Sequence, residues 1–218
     1  VLQIEIPAPG GLTNLLQSMI DDEIYKDWES ITSLELKGRL NDTDLNLLKN
    51  MMTAGKGYNL KNLDMTAVEN ETLKNGVFNG CNLLENITFP MGLQYVPREA
   101  CRNCSKLRTV VVNEGPTYIG RHAFGNSMVS EAWFPSTMTY VYGYVFDNVT
   151  ALKTLHLKSL PFQCIQKVLE MHGNHVFRVR ILVVFQIFHR YIHRARPCLK
   201  DGTPSCRLGS TFVSITTS

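Results

Sequence analysis

Apolar residues recur along the middle of the chain with a period longer than any helix or strand. Runs with leucine-like residues at fixed offsets open at Phe78, Cys101, Phe124 and Phe146, so their lead residues lie 23, 23 and 22 positions apart. Each contains a short alternating stretch that predicts a strand, with two inward residues around one outward residue. These pairs are Leu63/Met65, Ile87/Phe89, Val110/Val112, Ala132/Phe134 and Leu155/Leu157, and Leu34/Leu36 form an earlier, more widely spaced member. A second apolar position lies five residues before the lead: Val96, Ile119 and Val141. A period of this size is the mark of a stacked solenoid, in which no rung buries its own apolar side and neighbours complete one core. Pro90 and Pro135 follow their strands, where a missing N–H ends ladder pairing.

The flanks read differently. Leu2, Ile4 and Ile6 alternate as a short strand ended by Pro7 to Gly11, and Thr13 is placed to cap a helix bearing Leu15, Leu16, Met19 and Ile20. Ile31 to Leu36 predicts a second strand. Asp42 to Asp44 supply cap candidates for a helix carrying Leu45, Leu48, Met51 and Met52, ended near Gly55 and Gly57. This helical segment is expected to cover the open end of the stack, with Trp28 packed in it. Beyond Leu157 the pattern fades. Phe162 to Glu170 reads as a helix, Val176 to Phe188 as one or two strands, Arg196 to Ser210 as loop, and Thr211 to Ile215 as a last strand. The expected organisation is a capping segment over 1–59, rungs over 60–160, and a divergent C-terminal cap or partly disordered tail over 161–218.

Alternation also assigns the outward residues: Asp64, Thr88, Val111, Trp133 and His156. With rungs stacked about 4.8 Å apart, these five should form one lengthwise stripe and the candidate binding surface. Trp133 is the sharpest of them, because exposed aromatics are enriched where partners bind. Two other readings stay open: it packs on Val111 and His156, or the shortened third repeat shifts the register and buries it.

Composition adds exclusions. The 218 residues are 44% hydrophobic and 19% charged, as in a folded domain. The greasiest run, Ile181 to Phe188, is too short and too closely flanked by charge to span a membrane. The net charge of +3 divides unequally, with −3 on residues 1–161 and +6 on the rest. The basic tail carries no nucleic-acid-binding motif, so no nucleic-acid partner is expected. The chain opens at Val1 without Met, and nothing there resembles a signal peptide, as in a processed or truncated chain. Cys81 and Cys104 share one repeat offset and Cys101 replaces a lead Phe, so core packing explains the Cys101-x-x-Cys104 pair better than redox or metal chemistry. Cys198 and Cys206 are close enough in sequence to pair in an oxidising compartment.

Catalysis finds no constellation. His189-x-x-x-His193 fails the zinc-peptidase pattern because Arg190 follows the first His, and His172-x-x-His175 has no convincing Cys or carboxylate ligand beside it. No nucleophile elbow, phosphate loop or dinucleotide fingerprint occurs, so no enzyme, cofactor or metal is expected. Five Asn-x-Ser/Thr sequons stand at Asn41, Asn70, Asn86, Asn103 and Asn148.

The run Phe-x-x-Cys-x-x-Leu-x-x-Ile-x-Phe-Pro at 78–90, Tyr118-Ile-Gly-x-x-Ala-Phe124 and Val96-Pro-x-x-Ala-Cys101 resemble the BspA-like leucine-rich repeats of bacterial surface proteins. The stretch from Ile31-Thr32-Ser-Leu34-Glu-Leu36 through Gly38, Leu40 and Asn41 to Asp44 is similar to the N-terminal segment of such proteins in gut Bacteroides. Tyr142-Gly143-Tyr144-Val145 departs from the pattern, and Ser127 stands near a Cys position. Across residues 1–160 the resemblance implies an α+β leucine-rich-repeat solenoid with an N-terminal helical cap. It also implies an extracellular or cell-surface location and adhesion to a host or matrix protein, or to a glycan. A structural spacer with no ligand of its own is the first alternative, and a metal-dependent enzyme built on the C-terminal histidines is the second.

Overall fold

The computed structural model describes residues 3–158 in full and, beyond them, the backbone of four strands. One parallel ladder runs the length of the stack. Its strands are β1 (Gln3–Glu5), β2 (Ser33–Gly38), β3 (Asn62–Val68), β4 (Asn86–Thr88) and β5 (Thr109–Val111), then β7 (Glu131–Phe134) and β9 (Thr154–Leu157). A second, two-stranded parallel sheet pairs β6 (Tyr118–Ile119) with β8 (Tyr140–Val141), and Val96 bridges to Ile119 beside it. Helices α1 (Leu12–Asp21) and α2 (Asp42–Met51) connect the first three strands.

The inward pairs predicted from alternation are all buried, and they align rung on rung. Leu34, Leu63, Ile87, Val110, Ala132 and Leu155 occupy one register line. Along the opposite wall the lead residues Phe78, Cys101, Phe124 and Phe146 are fully enclosed. Phe124 stands at the centre of an aromatic chain, 6.2 Å from Phe89 and 5.7 Å from Phe146 between ring centroids. Cys101, in a column where its neighbours are Phe, leaves room across which Phe89 reaches Phe124. Burial on this scale is the main source of stability in such a stack.

Each rung turns through two residues in the left-handed region. One lies two places before the lead (Gly76, Glu99, His122, Tyr144) and the other two places after it (Gly80, Asn103, Asn126, Asn148). Asparagine tolerates this conformation because its short amide bonds locally, and here the amides bond to one another. Asn103 donates to Asn79 at 3.0 Å, Asn126 to Asn103 at 2.8 Å and Asn148 to Asn126 at 2.9 Å. Asn126→Ala removes two of these bonds and places a Cβ-bearing residue with no such compensation at φ 53°. It is expected to cost about 2 kcal/mol, and Asn126→Gly less, as measured by urea unfolding. Gly120 has a different cause: a Cβ there would lie 2.5 Å from the Arg98 amide nitrogen, so adjacent rungs meet backbone to backbone.

Several local expectations shift. Thr13 lies inside α1 and does not cap it. The N-cap is Gly11, and the carboxylate of Asp44 in α2 accepts from Gly10 N at 2.6 Å and Leu12 N at 3.1 Å. Asn41, one residue earlier than expected, caps α2 in a capping box with Asp44. The second strand starts at Ser33, not Ile31, and runs to Gly38. Both β1 and β2 belong to the same parallel ladder as the rungs, with Gln3 opposite Glu35 and Leu34 opposite Leu63. Trp28 packs within this region, edge-on to Tyr58, with its indole N–H donating to Gln17.

Beyond Leu157, β10 (Arg178–Val183) continues the ladder parallel to β9. The stretch read as loop holds two strands, β11 (Cys198–Lys200) and β12 (Thr203–Leu208), which pair antiparallel; β12 in turn pairs with β13 (Thr211–Thr216). The helix expected over Phe162 to Glu170 lies outside the described residues.

Candidate functional site

The strand face presents its outward residues in strict register. Glu35, Asp64, Thr88, Val111, Trp133 and His156 oppose one another in turn from β2 to β9, so the five residues expected from alternation share one row. Glu35 extends that row by one rung, which the wide spacing between Leu36 and Leu63 hides in the sequence. The one-residue deletion in the third repeat does not slip the pairing. Its register-change reading for Trp133 is therefore incorrect, because the shortening is absorbed before β7 and the Ala132/Phe134 pair keeps Trp133 outward.

All six side chains of the row are half-buried, since each leans on its neighbours along the ladder. Trp133 and His156 stack with centroids 4.4 Å apart and ring planes 1° from parallel. His156 Nε2 lies 2.7 Å from Glu131 Oε1, a contact that reaches from the adjacent outward row. That second row reads Ser33, Asn62, Asn86, Thr109, Glu131 and Thr154, with Asn86 donating to Asn62 at 2.6 Å. At the other end of the face, Asp64 Oδ1 accepts from Thr66 N and Glu35 accepts from Gln3. The face is therefore graded along its length: carboxylates near β2 and β3, an aliphatic and hydroxyl centre, then an ordered aromatic pair at β7 and β9. Such a graded, preorganised surface can dock a ligand without rearranging, which lowers the entropic cost of binding.

The three rung cysteines are buried among themselves. Hydrogen bonding of Cys81 with Cys104, and then burial, push the Cys81 thiol far above its usual range. Hydrogen bonding with Cys101 does the same for Cys104, which also contacts the Phe78 carbonyl at 3.1 Å. Raised in this way, the Cys81 and Cys104 thiols suit packing more than nucleophilic attack. Among the described residues no three His, Cys, Asp or Glu side chains converge as metal ligands, and no helix is long and apolar enough to cross a membrane. His172, His175, His189 and His193 lie outside the described residues, as do the side chains of Cys198 and Cys206.

An open cleft of about 520 Å³ lies where the turn before α2 meets the first rung, lined by Leu40, Asn41, Asp42, Asn70, Lys74 and Tyr95 among others. Its polar groups are largely engaged in holding the fold. Asn70 bonds both ways with the Leu40 backbone, Asn41 caps α2, and Lys74 pairs with Asp42. The sequons share this character: the side chains of Asn41, Asn70, Asn86, Asn103 and Asn148 all accept or donate hydrogen bonds within the fold.

A family model described as BspA type leucine rich repeat region matches residues 17–114 and, overlapping them, 71–168, with six copies of the repeat. No curated protein and no solved structure gives a significant match.

Proposed function

Because the chain belongs to the BspA-type leucine-rich-repeat family, we propose that this non-catalytic scaffold module acts as a surface-associated adhesion module that binds a protein through its strand face. One observation carries this reading. The outward row from Glu35 to His156 is held in unbroken register and includes the stacked Trp133–His156 pair, which Glu131 fixes from the side. A solenoid offers its repeated face as an extended docking surface, and a rigid indole within it supplies the large contact area from which binding hot spots are built. The partner class, a host or matrix protein with a glycan as the other candidate, and the extracellular or cell-surface setting come from the family resemblance. The division into a capping segment over 1–59, rungs over 60–160 and a divergent end over 161–218 belongs to the same proposal.

Surface-plasmon measurements against immobilised matrix proteins and bacterial glycans test it. At least one matrix protein should bind, and Trp133→Ala should weaken that binding by about 2 kcal/mol or more, roughly thirtyfold in Kd. Binding unchanged by the substitution would remove the strand face from the account. No binding to any surface would favour a spacer module.

A further inference from the structure

A second surface lies on the β6/β8 side of the stack, away from the strand row. Tyr95, Tyr118 and Tyr140 each precede the second apolar position of successive rungs, and the fourth rung adds Tyr142 and Tyr144. Tyr95 and Tyr118 stack at 5.0 Å with planes 3° apart; Tyr142 meets Tyr118 at 5.5 Å and Tyr140 at 4.9 Å, both edge-on. Tyr140, Tyr142 and Tyr144 are 40%, 46% and 47% exposed, which makes them three of the six exposed large apolar residues among the described residues. Such a concentration on one five-residue stretch is unlike the scattered singles of an ordinary surface.

The solenoid does not require these residues. Tyr142 stands one rung after Gly120, which must be glycine, and in register with it. Tyr144 has φ 65°, at the position where the first rung has Gly76. A bulky side chain in the left-handed region costs about 1 kcal/mol or more, and strain of this kind collects at functional surfaces. Arg121 lies 4.9 Å over the Tyr144 ring, which also stacks with His122.

Geometry selects the ligand chemistry. Tyr95 and Tyr118 cover a ring face of each other, and the edge-to-face contacts of Tyr142 take up a face of one ring and an edge of the other. Aromatic edges carry the positive end of the ring quadrupole, and a hydroxyl donates. Donors of this kind give the surface a preference for an acceptor of negative charge. Arg121 and Arg98 are exposed beside it and add two guanidinium groups. His122 is held below its ordinary pKa, first by burial and then by Arg102, and adds no charge at neutral pH. Glu99, which pairs with Arg98 and Arg102, and Asp147, 3.3 Å from His122, break the basic strip, so a densely charged polyanion finds no continuous track.

We propose that the tyrosine surface around Tyr118, Tyr142 and Arg121 is a second docking site, which receives a carboxylate-bearing segment of a protein partner. Tyrosine and arginine together are the residue types that dominate protein-binding hot spots, and arginine matches a carboxylate bidentately. With rungs about 4.8 Å apart, the surface accommodates an extended segment of a few residues.

The test is a peptide array of decapeptides bearing Asp and Glu, each beside its Asn/Gln counterpart, with immobilised heparin as the polyanion control. The acidic peptides should be retained over their amide counterparts, and retention should fall as salt rises from low to physiological strength. Arg121→Gln and Tyr142→Ser should each weaken it by about tenfold or more; if one variant loses its cooperative melt, the other decides. Equal retention of acidic and amide peptides overturns the proposal, as does binding to heparin alone. So does peptide binding that falls with Trp133→Ala and not with Arg121→Gln, since it would belong to the strand face.

Discussion

Phe124→Ala is expected to remove about 3–5 kcal/mol of stability, the cost typical of a large-to-small change at a fully enclosed aromatic. Phe124 is wholly buried and touches Phe89 and Phe146, so its ring fills the space between three rungs. A solenoid rung contacts only its neighbours, so the loss should loosen the stack on both sides of the third rung, not just one contact. Phe124→Leu keeps most of the volume and is expected to cost less than about 1.5 kcal/mol. Urea unfolding of both variants checks the pair. Equal stabilities for the alanine and leucine variants would mean that the aromatic column does not carry the core.

Asp44→Ala is expected to cost about 3 kcal/mol or more, because hydrogen bonds to a charged acceptor are each worth roughly 1.5–3 kcal/mol. The side chain has no exposure and accepts from Gly10 N, Leu12 N and Asn41 N, at 2.6, 3.1 and 3.0 Å. One carboxylate therefore caps both helices at once, and its charge sits at two positive helix ends. Hydrogen exchange at the Gly10 and Leu12 amides should accelerate together with the loss of stability. A melting curve within error of the parent protein would show that α1 is held by its apolar face alone.

Asp44 also marks where sequence reading stops. Its place at the start of α2 is legible, since Asp42 to Asp44 stand as cap candidates, although the N-cap itself is Asn41. Its second role spans 32 residues of chain, to a helix whose own Gly11 and Thr13 provide no side-chain cap, and no local pattern announces it. The rungs are the opposite case. A period near 23 marks the rung strands, and alternation within each strand gives its inward pair and the outward row from Asp64 to His156. The left-handed column escapes because its members Glu99, His122 and Tyr144 share no residue type, and Glu and Tyr have no preference for that conformation. Asn103, Asn126 and Asn148 recur with the repeat, but only the structure shows their amides bonded to one another. A tyrosine also precedes each second apolar position, at Tyr95, Tyr118 and Tyr140. Coordinates are needed to show the rings of Tyr95, Tyr118, Tyr142 and Tyr140 in contact from rung to rung.

The most direct test of the strand-face account is site-specific photo-crosslinking with the matrix protein that binds most tightly. A benzophenone side chain at position 111, in the centre of the outward row, is compared with one at Lys106, exposed in the turn before β5. The account predicts crosslinks to the bound protein from position 111 and none from position 106. Crosslinks from position 106 with none from 111 would contradict it.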